Sequence, residues 1–336
     1  MPGLPSGDGA TRRDLAGARL ALAVNPRAEA IARVDGRYDA RVLEPSPPAV
    51  AQPPWFADDP VGRADARSEL PRLSPVSGAD VCWDDLTRAD AELASWCAER
   101  WLGAYRALAA APPTLVPTRV ALHRVAQSVM SPARERANGK IGLRYTRGGF
   151  GTPFFGADVQ LRVIGDELVV QTGEHERSAR ISTLSRLAAD IGGELLPAGA
   201  DDDEPLDVDA AASRFLGEWY GFGAAVLEEL RALARDEDEP SRVQLWPEHF
   251  DIAVEIGPES AGARATYGAS PGDELHPEPY LYVTPWRGIA EQEELFMATA
   301  FAGAELPYAE LLRSGDGHAQ RAAALRFFSD RRAALA

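Results

Sequence analysis

An α+β fold, with antiparallel sheet sections flanked by helices behind an extended proline-rich arm, is predicted by three features of the 336-residue chain. Strand-like alternation falls in two blocks, about 140–181 and 243–286. Within a block the runs are joined by turn residues, Gly165-Asp166 being the clearest hairpin signal. Apolar residues at spacings of three and four fill the segments before, between and after the blocks. Strands segregated in this way build antiparallel sheet, whereas a doubly wound parallel sheet needs a crossover helix after nearly every strand.

The elements follow in order. Residues 1–79 carry PSPP at 45–48 and PP at 53–54 and read as an irregular wrapping arm, with Trp55 and Phe56 as anchors. A single α+β domain is expected over 80–336. Asp84 or Thr87 caps a helix through Trp96, Cys97, Trp101 and Leu108, which Pro112 and Pro113 stop. A second helix follows Pro117 and ends at Asn138-Gly139; His123 on it reads as structural. Strands are expected over 140–146, 158–164 and 167–172, and RGGFGTPFFG (147–156) is expected to be an aromatic-bearing loop. Its glycines lack the spacing and the following helix of a phosphate loop. A short helix at 185–191 and an acidic linker at 199–209 lead to a long aromatic helix over 208–235. The second β block and two closing helices, about 290–313 and 316–335, complete the chain.

Composition narrows the function. A formal net charge of −16 excludes non-specific binding to nucleic acid, which depends on Lys and Arg neutralising phosphates. It equally disfavours an anionic membrane surface. No apolar run is long enough to span a bilayer, and the N-terminus lacks the basic start and apolar core of a signal peptide. Cys82 and Cys97 do not form a disulfide framework, so a cytoplasmic protein is expected. The residues name no cofactor.

The chemistry-bearing residues concentrate in 244–286. Alternation from His249 puts His249, Asp251, Ala253 and Glu255 on one face and Phe250, Ile252, Val254 and Ile256 on the other. In the strand 279–284, Glu278, Tyr280, Tyr282 and Thr284 share a face. Antiparallel pairing can bring the two polar faces together into a ligand pocket of His249, Asp251, Glu255, Tyr280 and Tyr282, with Lys140, the only lysine, at its rim. A metal-dependent enzyme is the alternative, since His249-x-Asp251 with His276 has the donor types of a two-histidine, one-carboxylate triad. Gly268-Ala-Ser270-Pro-Gly272 matches the nucleophile elbow G-x-S-x-G in form only, because Pro271 offers no N–H to an oxyanion hole. A third reading is an interaction protein that docks a partner through its arm or its acidic loops.

The succession GKIGL (139–143), TPFFG (152–156), HFDIAVEI (249–256), PEPYLYVTPW (277–286) and ELPYAELLRS (305–314) resembles a family of bacterial proteins of unknown function. That family shows a GK-[IV]-x-L strand, a PYG-type loop, an FDLA strand, a Tyr-x-Tyr strand and an LPY segment before a final helix. The resemblance covers about residues 120–336. It points to Gly139, Lys140, Phe250, Asp251, Ala253, Tyr280, Tyr282, Pro307 and Tyr308, and it implies an architecture without an activity.

Overall fold

A computed structural model describes residues 107–336, apart from 147–148, 154, 156–158, 173–174, 192–201 and 289–293. The expected arm, both cysteines and the first helix up to residue 106 lie outside these residues; the described end of that helix, 107–111, is not helical, Leu108 N–H donating instead to Gln320 Oε1 at 2.7 Å. Within them the fold is α+β, with helices packed on two antiparallel five-stranded sheets.

Helix α1 (Leu115–Val125) begins two residues before Pro117, which sits in the first turn where its missing N–H costs nothing. A π turn (Ala126–Met130) joins it to α2 (Ser131–Asn138). Gly139, at φ 71°, ends α2 by donating its N–H to Glu135 O at 2.7 Å. The first sheet is a meander of β1 (Arg144–Thr146), β2 (Gly149–Gly151), β3 (Val159–Ile164), β4 (Glu167–Thr172) and β5 (His175–Arg180). Gly165-Asp166 forms the β3–β4 turn as its sequence predicts. The segment 147–156 is not wholly loop, because β2 lies within it, paired between β1 and β3.

After the short α3 (Leu184–Ile191), Asp209 caps α4 (Ala210–Ala232) by accepting from the N–H groups of Ala211 and Ala212. Its apolar face, including Leu216, Trp219, Tyr220, Val226, Leu227 and Leu230, is wholly buried. The second sheet then forms from β6 (Gln244–Trp246), β7 (Asp251–Ile256), β8 (Ala265–Ser270), β9 (Tyr280–Pro285) and β10 (Ala304–Pro307), again in sequential order. The first strands of the two sheets meet where Leu143 and Leu245 exchange backbone hydrogen bonds of 2.7 and 2.9 Å. Helix α4 packs on both sheets at once. Gly221 abuts the Tyr145 ring of the first, and a Cβ on Gly223 would stand 2.7 Å from Ala269 of the second. Helices α5 (Tyr308–Arg313) and α6 (Gly317–Leu335) close the chain, with Phe328 of α6 edge-on to Tyr267.

Two expectations are corrected here. The helix expected over 290–313 is replaced, among its described residues, by irregular chain to 303, strand β10 and the six-residue α5. Its apolar spacing is overruled by Pro307, which cannot continue a helix from the residues before it, and by pairing of Ala304–Pro307 with β9. The alternation read from His249 begins instead at Asp251. Residues 247–250 form a turn in which Phe250 N–H donates to Trp246 O at 2.7 Å and Phe250 adopts φ 56°. A left-handed residue breaks the period-two pattern, so His249 does not share the strand face of Asp251.

Candidate functional site

One face of the second sheet is core: Ile252, Val254, Tyr267, Ala269, Leu281 and Val283 turn toward the helices and are fully buried. The opposite face carries the polar residues. Register pairs Gly268 with Tyr282 and Tyr282 with Glu305, and pairs Ser270 with Tyr280; continuing it past Ile252–Ala269 sets Asp251 beside Ser270. Asp251, Tyr280 and Tyr282 are therefore gathered on one face, as alternation predicted for the two strands.

The key contact spans three strands. Tyr282 on β9 lays its ring across Gly268 on β8, and its hydroxyl donates to Asp251 Oδ2 on β7. Any side chain at 268 would collide with that ring: a Cβ would lie 2.5 Å from Oη and closer still to ring carbons. Gly268 is thus explained by a close approach and not by a nucleophile motif. Asp251 is only 5% exposed, and its Oδ1 meets no hydrogen-bond donor among the described residues. Burial pushes the Asp251 carboxyl up from its ordinary value, opposed by the hydrogen bond from Tyr282. Burial and the neighbouring carboxylate together push the Tyr282 phenol well up, so it is a donor throughout the physiological range.

A second cluster adjoins the first through Ser270 and Tyr280. The Tyr280 hydroxyl donates to Asp273 Oδ2 at 2.7 Å, while Ser270, paired with Tyr280 across the strands, accepts the Gly272 N–H at 3.2 Å. His276 lies tilted against the Tyr280 ring, 4.4 Å between centroids. Its Nδ1 is 3.0 Å from Asp273 Oδ1 and its Nε2 is 3.2 Å from Glu305 Oε2. The second of these is close but poorly aligned, for Glu305 Oε2 is buried without a well-formed hydrogen bond. Phe301 stands 6.3 Å from the Tyr280 ring and 6.2 Å from the Tyr282 ring, centroid to centroid, and completes an aromatic group.

Two anchors hold this arrangement from beneath. Arg119 of α1 is buried, and its guanidinium reaches the carbonyls of Pro271, Asp273, His276 and Pro277, the nearest at 2.8 Å. Gly272, at φ 99°, lets the loop pass over that guanidinium, since a Cβ there would overlap Nη1. Burial draws the Arg119 guanidinium down from its usual value, opposed by the nearby Asp273 charge. At the other end, Tyr220 of α4 donates to Phe250 O at 2.6 Å, and His123 stacks on Phe250 at 5.1 Å with its Nε2 2.8 Å from Pro247 O. These contacts fix the turn that delivers Asp251 to the face.

The remaining sequence candidates sit elsewhere or have other partners. His249 is exposed on the 247–250 turn. Glu255 lies farther along the same face and is bound by Arg264 at 2.9 Å. Lys140 is exposed on the loop between α2 and the first sheet. The metal set His249, Asp251 and His276 is not assembled: Asp251 holds Tyr282, His276 holds Asp273, and His249 stands on the exposed turn. Among the described residues no group of three or more His, Cys, Asp or Glu side chains is placed to hold a metal ion.

Sequence reasoning missed Arg119 and Glu305 as parts of the site. Arg119 was detectable as a charge four residues after Leu115 and three before Leu122, on the buried stripe of α1. Glu305 gave no signal, because its segment reads as helix. No protein-family model, curated protein or solved structure matches the chain.

Proposed function

We propose that the protein binds a small molecule on the polar, aromatic face of the second sheet, at Asp251, Ser270, Tyr280 and Tyr282. One observation carries this reading: Asp251 is a buried carboxyl whose Oδ1 meets no hydrogen-bond donor among the described residues, kept at the end of a tyrosine hydroxyl that itself required a glycine to reach it. A half-satisfied buried acid costs stability, and folds retain such groups where a ligand completes them. The ring faces of Tyr280, Tyr282 and Phe301 supply the apolar lining that small-molecule sites combine with a few fixed polar groups. A cytoplasmic setting fits the sparing use of cysteine. No described helix is long and apolar enough to cross a membrane. The net charge of −16 argues against nucleic acid as the partner.

A thermal-shift screen of the full chain against a metabolite library tests the reading. A true ligand raises the melting temperature of the wild type, and Tyr282→Phe abolishes most of that rise. If every stabilising compound acts equally on wild type and Tyr282→Phe, the site lies elsewhere.

A further inference from the structure

The hydrogen-bonding inventory of this face has a definite sign. The two tyrosine hydroxyls nearest Asp251 and the arginine beneath the loop are already committed. Tyr282 donates to Asp251, and Tyr280 donates to Asp273. His276 turns Nδ1 to Asp273 and Nε2 toward Glu305, and Arg119 is occupied by loop carbonyls. Beside them the buried, open capacity is that of acceptors. Asp251 Oδ1 is buried with no donor among the described residues, and Glu305 Oε2 is buried without a well-aligned one. Three carboxyl groups, Asp251, Asp273 and Glu305, line the face, and the aromatic rings of Tyr280, Tyr282 and Phe301 lie between them.

From this inventory we infer that the ligand is an organic cation, an amine whose ammonium donates to Asp251 Oδ1 while its carbon skeleton lies on the tyrosine and phenylalanine rings. The inference rests on the binding site proposed above and names the class of its occupant. An ammonium has donors and no acceptor, the complement of what the face leaves open. Hydrogen bonds between ionised partners are the stronger kind, and ring faces attract cations within about 6 Å of their centroids. A carboxylate or phosphate ligand would meet carboxyl groups of its own sign. A neutral alcohol would satisfy Asp251 without compensating its charge. The overall charge of −16 steers cations toward the protein at low ionic strength. Asp251 and Glu305 lie three strand spacings and two residues of register apart, about 16 Å at the backbone. On a ligand long enough to span that gap, a second amine has Glu305 as its acceptor.

The test uses the full-length chain and four probe amines (butylamine, phenethylamine, 1,4-diaminobutane and agmatine) beside their matched alcohols and carboxylates, with affinity read by ligand-observed NMR titration at two salt concentrations. At least one amine is expected to bind, with the matched alcohol and carboxylate at least tenfold weaker. Asp251→Asn, which keeps the acceptor for Tyr282 but removes the charge, should weaken the amine tenfold or more. Tyr282→Phe, which keeps the ring, serves as the second variant if Asp251→Asn does not fold. Amines that bind with no loss in either variant overturn the inference, as does the absence of amine binding. If an alcohol, a carboxylate or another library compound binds in an Asp251- and Tyr282-dependent manner while amines do not, the cation fails and the binding site stands. If nothing binds in a manner dependent on these residues, both fail.

Discussion

Replacing Gly268 by alanine adds a single methyl group where the Tyr282 ring lies, so its cost reports whether that ring is held on β8 to reach Asp251. The added Cβ would stand 2.5 Å from the phenolic oxygen and nearer to two ring carbons, well inside ordinary van der Waals separation. The ring has little freedom to yield, because Phe301 and Tyr280 sit beside it, each about 6.2 Å away between centroids. Tyr282 must therefore swing off the strand and release Asp251. Overpacking of this kind costs about 1–3 kcal/mol. Losing a hydrogen bond to a buried carboxyl costs about 1.5–3 kcal/mol more. The intrinsic gain from removing a strand glycine returns about 0.5–1 kcal/mol. The net expectation is a loss of about 2–5 kcal/mol, or roughly 5–15 °C in melting temperature for a domain of this size. Urea denaturation of four proteins (wild type, Gly268→Ala, Tyr282→Ala and the double variant) measures it. In the Tyr282→Ala background the three atoms nearest the methyl are gone, so Gly268→Ala should there be neutral or stabilising by about 0.5 kcal/mol. An equal cost of Gly268→Ala in both backgrounds would refute the reasoning, for the glycine would then be required by its own backbone.

Two further substitutions test the neighbouring parts. Asp251→Asn should stabilise the unliganded protein by about 1–2 kcal/mol at pH 8, because it removes a buried charge and keeps the Tyr282 partner. The pH dependence has a fixed sign. Burial raises the Asp251 carboxyl in the folded state, so its favourable contribution is complete below the unfolded value of about 4 and is lost as pH rises through the folded one. The variant's advantage should thus grow from pH 4 to pH 8 in paired thermal melts; a difference constant across that range would mean Asp251 titrates normally. Arg119→Ala should cost about 3 kcal/mol or more and loosen the 271–278 loop, since four carbonyls lose a shared donor. Arg119→Lys should recover less than half of that, a single ammonium being unable to fork over four acceptors. Hydrogen exchange at Asp273 and Leu275 reads the loop directly, and unchanged protection in Arg119→Ala would remove Arg119 from the anchoring role.

What was legible in the sequence, and what was not, separates along the range of the forces involved. Period-two alternation in Asp251–Ile256 and Tyr280–Pro285, helical spacing in Ala210–Ala232 and the Gly165-Asp166 turn are encoded within a few residues of one another, and each was realised as an α+β meander with central helix. The polar face of Asp251, Tyr280 and Tyr282 follows from the same local rule. The location of His249 did not, because a left-handed Phe250, held by Tyr220 and His123 from two distant helices, delays the start of the alternation by two residues, to Asp251. Strand β10 was hidden for a related reason: its pairing with β9 is a contact across the chain, and it overrode a helical pattern that was only local. Glu305 arrived at His276 with that strand, and Arg119 reached the 271–278 loop across more than 150 residues. The sequence by itself determined which residues face away from the core on each strand. Tertiary structure decided which of them meet, since register and helix docking are set by packing between segments that no local period records.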